Sequence, residues 1–258
     1  MKDFRWKYVH GVMWDYESIP ASVTAVEQPN VLMYKTKGTT SILSNKIARV
    51  AVNPDWKIED AVAKIYDFFG SQPFSWWIGP DSLPEDLHQR VKGYGFKHHD
   101  SYFGLIKLVT STEANDLRYE MREVVNEQDV RAYINVSSNI WGYDKSTQEA
   151  LIQQRLAYLN HEERRSGLLI VLDSGSPVGY AGYRFSSDGQ AMYLAGTGVL
   201  EEYRGQGIYR ALLTARTQLA KEYGCEWLAT QAREGTSEPI LRKLGFEEIG
   251  IYQVYTKE

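Results

Sequence analysis

Residues 191–216, AMYLAGTGVLEEYRGQGIYRALLTAR, restrict this chain more than any other stretch. An apolar run ending at Val199 leads into a polar loop with glycines at 205 and 207, and then into an alanine- and leucine-rich run with helical spacing. Strand, glycine turn and helix in that order present a helix N-terminus, where unpaired N–H groups and a partial positive charge can hold a phosphate. Glycine suits such a turn because a Cβ would block the anion's approach or forbid the backbone angles. Taken alone, two glycines also fit an ordinary tight turn, so the order of the surrounding elements decides.

That order is specific. From Gly167 the chain reads as a meander, GLLIVLD, VGYAGYRF and AMYLAGTGVL, with turns at SGSP and SSDGQ. After the glycine loop come a long helix from about Ile208 to Tyr223, a strand EWLATQA, a short helix EPILRKL, and a strand opened by Gly245-Phe246. Upstream, YEMREVV reads as a first strand and Asn126 as the N-cap of a helix through NEQDVRAYINVSSNIW.

A fainter copy precedes it. NVLMYKTK and TTSILS read as strands before KIARVAVNPDW; then follow a helix EDAVAKIYDFF, a strand FSWWIGP, a helix PEDLHQRVKGY and a strand after Gly95-Phe96. From Val52 to Phe96 is 44 positions and from Val199 to Phe246 is 47. Opposite EEYRGQGIYRALL the first copy has NPDWKIEDAVAKI, without a glycine. The seam falls in TSTEANDLR, Thr110 to Arg118, giving domains over 1–112 and 117–258.

Three phosphate loops compete for residues 204–209. A P-loop needs Lys followed by Ser or Thr after its last glycine, but Ile208-Tyr209 stand there. A dinucleotide fingerprint needs Gly or Ala at the place of Arg210 and a parallel unit rather than hairpins before it. The third type fits: Val199, Arg204 and Gly207 occupy their places in a segment that resembles the acetyl-CoA signature of the GCN5-related N-acetyltransferases. The hairpin before it, the helix after it and SEPILRKLGF extend the resemblance over roughly Tyr119 to Tyr255, and more weakly over the first half.

The resemblance implies an α+β fold of two such domains, each with a mixed, mostly antiparallel central sheet flanked by helices; the first is a degenerate copy without the cofactor loop. It implies acetyl-CoA as acyl donor, held through Val199, Arg204, Gly205, Gln206, Gly207, Ile208 and Tyr209, with direct transfer to a primary amine of a small molecule. Trp141, Tyr143 and Asp144, after the first helix of the second domain, are where such a fold selects its substrate. The sequence departs from the family at Glu201, in place of a proline, at Tyr209, in place of Gly or Ala, and at Leu241, where many members carry a tyrosine that protonates the departing thiolate. No glutamate lies in AMYLAGTGVL, so the general base is unassigned, with Tyr193, Thr197 and Tyr252 as candidates beside Tyr183 and Tyr255. The missing acid and tyrosine also leave open a non-catalytic acyl-CoA sensor or assembly module.

Composition excludes other classes. A net charge of −4, from 33 acidic and 29 basic residues among 258, gives no basic excess for nucleic acid. The start MKDFRWKYVHGVMWDYE lacks the apolar core of a signal peptide and no run approaches a bilayer span, so the expectation is a cytoplasmic protein without a membrane partner. Cys225 is the single cysteine, and the five histidines include no His-x-x-x-His pair, so no metal is expected. Gly-x-Ser-x-Gly is absent, which removes the usual serine-hydrolase elbow. Adjacent Trp76 and Trp77 should point to opposite strand faces, at least one into a core. The oligomeric state is open, a homodimer included.

Overall fold

The computed structural model describes residues 4–28, 31–37, 41–50, 57–110 and 118–257. In chain order its elements are α1 (Trp6–Gly11), β1 (Val23–Gln28), β2 (Val31–Thr36), β3 (Lys46–Val50), α2 (Ile58–Phe69), β4 (Ser75–Ile78), α3 (Leu87–Gly93) and β5 (Lys97–Leu108). There follow β6 (Glu120–Glu123), α4 (Glu127–Trp141), α5 (Lys145–Leu159), β7 (Ser166–Asp173), β8 (Ser176–Phe185), β9 (Ala191–Val199), α6 (Ile208–Glu222), β10 (Trp227–Arg233), α7 (Ser237–Lys243) and β11 (Glu247–Thr256). Packing divides the chain into two compact units, one of Met1–Leu105 with Gln231–Glu258, the other of Ile106–Thr230. The 111–117 part of the expected seam lies outside the described residues.

In the first unit the strand order is β1-β2-β3-β4-β11-β5. The hairpin β1–β2 and the pair β2–β3 are antiparallel, β3–β4 is parallel, and β11 joins β4 antiparallel, Val254 opposite Trp77 and Tyr255 opposite Trp76. The C-terminal strand therefore completes a sheet begun by first-half residues, a placement the repeat did not suggest. A central strand is buried on both faces, which is why both tryptophans are covered, Trp76 against Phe96 and Trp77 against Tyr102. On α2, Ile58, Ala61, Val62, Ile65 and Phe69 recur at helical spacing and close one face of the core.

Two elements of this unit, α1 and β1, were not foreseen. Of the strand expected at TTSILS, Thr39 and Thr40 lie outside the described residues and the rest is corrected: Ser41–Ser44 form turns, with Asn45 N–H donating to the Ser41 carbonyl at 3.0 Å. Val52 and residues 51–56, on which the repeat spacing and the glycine-free counterpart loop rest, lie outside the described residues.

In the second unit the order is β10-β9-β8-β7-β6, antiparallel from β9 to β6 and parallel between β9 and β10. Asn126 caps α4 as expected, its side chain accepting from the Asp129 N–H at 3.0 Å. Glu127 and Asp129 add negative charge to the first turn, and Gly142 ends the helix in the left-handed region at φ 70°. The buried stripe of Val130, Tyr133 and Ile134 packs on Ile170, Leu172 and Tyr180. The expected long helix is α6, and its N-terminus sits at the glycine loop.

Candidate functional site

β9 ends at Val199, one 3₁₀ turn spans Glu201–Tyr203, and Arg204–Gly207 lead into α6. Gly205 has φ 76° and Gly207 φ 87°, so both occupy the left-handed region that costs an L-residue about 1–2 kcal/mol. A Cβ on Gly205 would meet nothing within 4 Å, and one on Gly207 would find only the Arg118 Nη2 at 3.7 Å. Backbone angle, not crowding by the protein, makes these positions glycine, and the space over the loop is open. Among the described residues the amides of Gly205, Gln206 and Gly207 donate to no backbone carbonyl. Those of Ile208 and Tyr209, in the first turn of α6, have no carbonyl four residues back within the helix.

Side chains hold the loop from its flanks. Arg204 Nε donates to the Val199 carbonyl at 3.2 Å, Gln206 Nε2 to the Glu202 carbonyl at 3.0 Å, and the Tyr119 hydroxyl to the Gln206 carbonyl at 3.1 Å. Arg204 is exposed, and with Arg118 it puts two guanidinium groups at the loop. Arg118 ends the expected seam and Tyr119 opens the expected strand YEMREVV; nothing in their local sequence marks them as loop partners.

β9 has an open edge beside this loop. Its parallel ladder to β10 covers only Ala191–Tyr193 against Trp227–Ala229, after which the Thr230 hydroxyl bonds the Leu194 carbonyl at 3.1 Å. From Ala195 to Val199, among the described residues, its ladder runs to β8 alone. Gly182 faces Ala195 and Ala181 faces Thr197, which leaves Gly196 as the extra residue of a β-bulge. A strand edge with unpaired N–H and C=O groups can accept an extended ligand as an added strand.

The sequence-predicted residues distribute unevenly around this edge. Thr197 lies on it, half-exposed, its hydroxyl 3.5 Å from the Ala195 carbonyl. Tyr193 is buried with the Arg184 guanidinium 5.1 Å from its ring centre. Tyr183 gives its hydroxyl to Glu123 at 2.8 Å, and burial first, then that carboxylate, holds its pKa far above the ordinary range. Tyr252 sits in the first unit, fully buried, its hydroxyl bonded at 2.7 Å to His10 Nδ1, while His10 Nε2 faces the Asp81 carboxylate. Burial above all, with the nearby Asp81 charge, raises the Tyr252 pKa well above the ordinary phenol value. Tyr255 and Leu241 are likewise buried in that unit.

Trp141 is the last residue of α4, and Tyr143 and Asp144 lie in the turn between α4 and α5. Trp141 is 59% exposed and donates its indole N–H to the Tyr180 hydroxyl at 2.8 Å. Tyr180 lies opposite Gly198 on the β8–β9 ladder, and a Cβ on Gly198 would come within 2.6 Å of its ring. Tyr133 meets Tyr180 edge-on at 5.0 Å, so these rings make an aromatic wall next to the end of β9. Tyr143 is half-buried, and burial raises its pKa. Asp144 is the N-cap of α5: it accepts from the Thr147 N–H at 2.7 Å, and that bond first, then Ser146, holds its carboxyl below the usual range. Tyr180 was legible only as a strand aromatic.

One residue of this region gave no sequence signal. Arg216 on α6 is 1% exposed and, among the described residues, hydrogen-bonds carbonyls alone: its Nε donates to Leu212 at 3.2 Å, and its Nη1 to Gly182 at 3.2 Å and to Ala195 at 3.4 Å. Burial pushes its pKa down to about 10, so it stays charged at neutral pH. Cys225 is buried, and burial pushes its thiol up to about 11. Among the described residues no group of three or more His, Cys, Asp or Glu side chains could hold a metal, and no helix is long and apolar enough to cross a membrane.

Residues 129–246 match the model of the "Acetyltransferase (GNAT) family". The fold is shared with a GCN5-related N-acetyltransferase from Kribbella flavida, at 18% identity and TM-score 0.68, over 92% of this chain and 90% of that one. A tandem GNAT protein from the clavulanic acid biosynthesis pathway aligns at 12% identity and TM-score 0.65, over 93% and 84% of the two chains. A GCN5-related N-acetyltransferase from Sphaerobacter thermophilus aligns at 16% identity and TM-score 0.64, over 96% and 84%. No curated protein matches the sequence.

Proposed function

Because residues 129–246 match the model of the acetyltransferase (GNAT) family, we propose that this domain binds acetyl-CoA and transfers its acetyl group directly to a primary amine of a small molecule. The observation that carries the reading is the pairing of two features: a glycine loop with open amides, and a strand with an open edge leading into it. The chemistry of the residues fits the ligand. Amides 205–209 and the dipole of α6 suit a pyrophosphate. Arg204 and Arg118 add charge, and the β9 edge from Ala195 to Val199 suits the amide-bearing pantetheine arm.

Acetyl-CoA would supply an activated acyl group whose thiol leaves as the amine bonds to the carbonyl carbon. The chain's part is mainly to position, which accounts for a large share of rate in reactions between two bound partners. An alkyl ammonium, with a pKa near ~10.4, must also lose a proton before its nitrogen can attack. Of the three candidates for that proton, Thr197 alone is both half-exposed and on the open edge, where it can orient a water. Trp141 and Tyr143 supply the wall for the acceptor, and the Asp144 carboxylate attracts its cation. Residues 1–112 are proposed as a degenerate copy of the 117–258 domain, serving as scaffold, in a cytoplasmic protein.

A second reading, an acyl-CoA sensor or assembly module without turnover, is favoured by one fact: Leu241, which stands where many family members carry the proton-donating tyrosine, and Tyr252, a candidate base, are both buried in the first unit. One experiment separates the two. Calorimetry of acetyl-CoA with wild type and Gly207→Trp is paired with a thiol-release assay over polyamines, amino acids, aminoglycosides and peptides. Binding lost in the variant, with turnover on an amine, is the expected result. Binding without turnover supports the sensor, and no binding by wild type refutes both.

A further inference from the structure

A cleft of about 370 Å³ opens in the second unit where β7 begins, β8 ends and α6 stops, between Ser166, Ser186 and Tyr223. The Ser186 N–H donates to the carbonyl of Ala191, the first residue of β9, whereas Val199 ends β9 at the glycine loop. At about 3.3 Å per residue, that strand keeps the cleft about 25 Å from the loop. A group bound here is out of reach of the open edge of β9, so the cleft is not the acceptor site.

One glycine shapes the cleft. Gly167 is the register partner of Tyr183, and a Cβ at 167 would lie 2.2 Å from the Tyr183 hydroxyl oxygen. With no side chain in the way, the phenol crosses β7 and brings its hydroxyl to Glu123 on β6. Burial first, then that carboxylate, holds the Tyr183 pKa far above neutrality, so the phenol stays a donor and occupies Glu123 Oε1. Glu123 is exposed, and among the described residues its Oε2 has no partner. Phe185 lies on the same face of β8, 5.6 Å from Tyr183, and Tyr223 at the end of α6 meets Phe185 at 4.4 Å, so three rings run through the cleft.

The two arginines differ in their duties. Arg165 belongs to the wall: its Nη1 donates to the Phe185 carbonyl at 2.8 Å, and its own carbonyl accepts from the Phe185 N–H at 2.8 Å. Arg164 is exposed, and among the described residues its one hydrogen bond goes to the Leu159 carbonyl at 3.3 Å. The cleft thus offers one carboxylate oxygen and one guanidinium beside aromatic rings. An acid alone would leave its charge facing Glu123, and an amine alone would leave its charge facing Arg164. A ligand with both charges turns each repulsion into an attraction. The volume stands near the lower end of the range for small-molecule sites, about 300–1,000 Å³, which suits a single small molecule.

We propose that this cleft binds a free α-amino acid with an aromatic or large apolar side chain, its ammonium on Glu123, its carboxylate on Arg164 and its side chain along Tyr183, Phe185 and Tyr223. The site is separate from the acetyl-CoA site and does not rest on that reading.

The test is calorimetry of the full chain, without acetyl-CoA, using three ligands: L-phenylalanine, 3-phenylpropionate, which lacks the ammonium, and 2-phenylethylamine, which lacks the carboxylate. Wild type should bind L-phenylalanine at least about fivefold tighter than either analogue, the scale of one exposed charge pair. Glu123→Gln, whose amide oxygen still accepts from Tyr183, should weaken L-phenylalanine and the amine by about fivefold and spare the acid. Arg164→Gln should weaken L-phenylalanine and the acid by about as much and spare the amine. Tyr223→Ala should weaken all three, and a thermal melt should show the three variants folded. No binding of L-phenylalanine overturns the proposal, as does an affinity no better than that of either analogue. Charge variants that weaken all three ligands alike mark a structural role and overturn it; so does binding that no variant alters, which lies elsewhere on the chain. Should a variant not fold, the comparison of the three ligands on wild type decides.

Discussion

Gly207 separates two explanations of the glycine loop. At φ 87° an alanine is strained by about 1–2 kcal/mol, and the Cβ itself meets nothing in the protein closer than 3.7 Å. An asparagine visits the left-handed region at lower cost but extends a side chain into the open space above the amides. Gly207→Ala should thus destabilise the fold by about 1 kcal/mol, or about 2–4 °C in melting temperature for a chain of this size, and Gly207→Asn by less. If the loop holds a pyrophosphate, both variants weaken its bonds to the amides. Bonds to a charged acceptor contribute about 1.5–3 kcal/mol each, so the loss of two predicts a fall of at least about 10² in kcat/KM for acetyl-CoA. Acetyl-pantetheine, which lacks the pyrophosphate, should lose no more than about twofold, because it never made those bonds. The assay is thiol release with each donor beside a thermal melt. A fall of the same size with both donors, or with neither, would refute the phosphate-holding role and leave the loop as a turn.

Other sites give simpler tests. Asp144→Asn keeps the N-cap acceptor while removing the charge, so it should leave the melting temperature in place and raise KM for a cationic amine a few-fold; an unmoved KM would confine Asp144 to capping. Asp144→Ala should lower the melting temperature as well. Asn126→Ala removes the side-chain acceptor for the Asp129 N–H and should cost about 1 kcal/mol in denaturant titration, without altering the Kd for acetyl-CoA. The Cys225 thiol is pushed up from 9.0 to about 11, so at about pH 8 its thiolate is rarer than in the unfolded chain by about 100-fold. Alkylation followed by mass spectrometry should be slower by at least that factor in the native protein, and fast native labelling would contradict the burial. Tyr183→Phe removes a phenol whose pKa lies far above neutral, and should leave the pH profile of kcat unmoved.

The parts of this molecule legible in its sequence are those set by local rules. Asn126 announces α4 because a cap is a matter of one side chain and an N–H three residues on, and Gly205 and Gly207 announce their turn because only glycine takes those angles cheaply. The parts that were not legible depend on partners distant in the chain. β11 carries the pattern of any strand, and nothing in EEIGIYQVYT says that its neighbour will be β4, more than 160 residues earlier. Tyr252, a candidate general base in the sequence, is in the structure a core residue bonded to His10. Arg216 shows the same limit within the candidate site. In TARTQLAK an arginine on an amphipathic helix reads as surface, and only the missing ladder bonds around Gly196 explain why it points inward. A bulge has no composition of its own, so both the widened carbonyl pair and the cation that fills it come into view only when β8 and β9 are set in register. It follows that chemistry in this domain should track the register of β9 more closely than the identity of any titratable side chain on it: substitutions that shift the bulge, such as Gly196→Pro, are expected to cost more rate than Tyr193→Phe, and the reverse order would place the chemistry on the side chains after all.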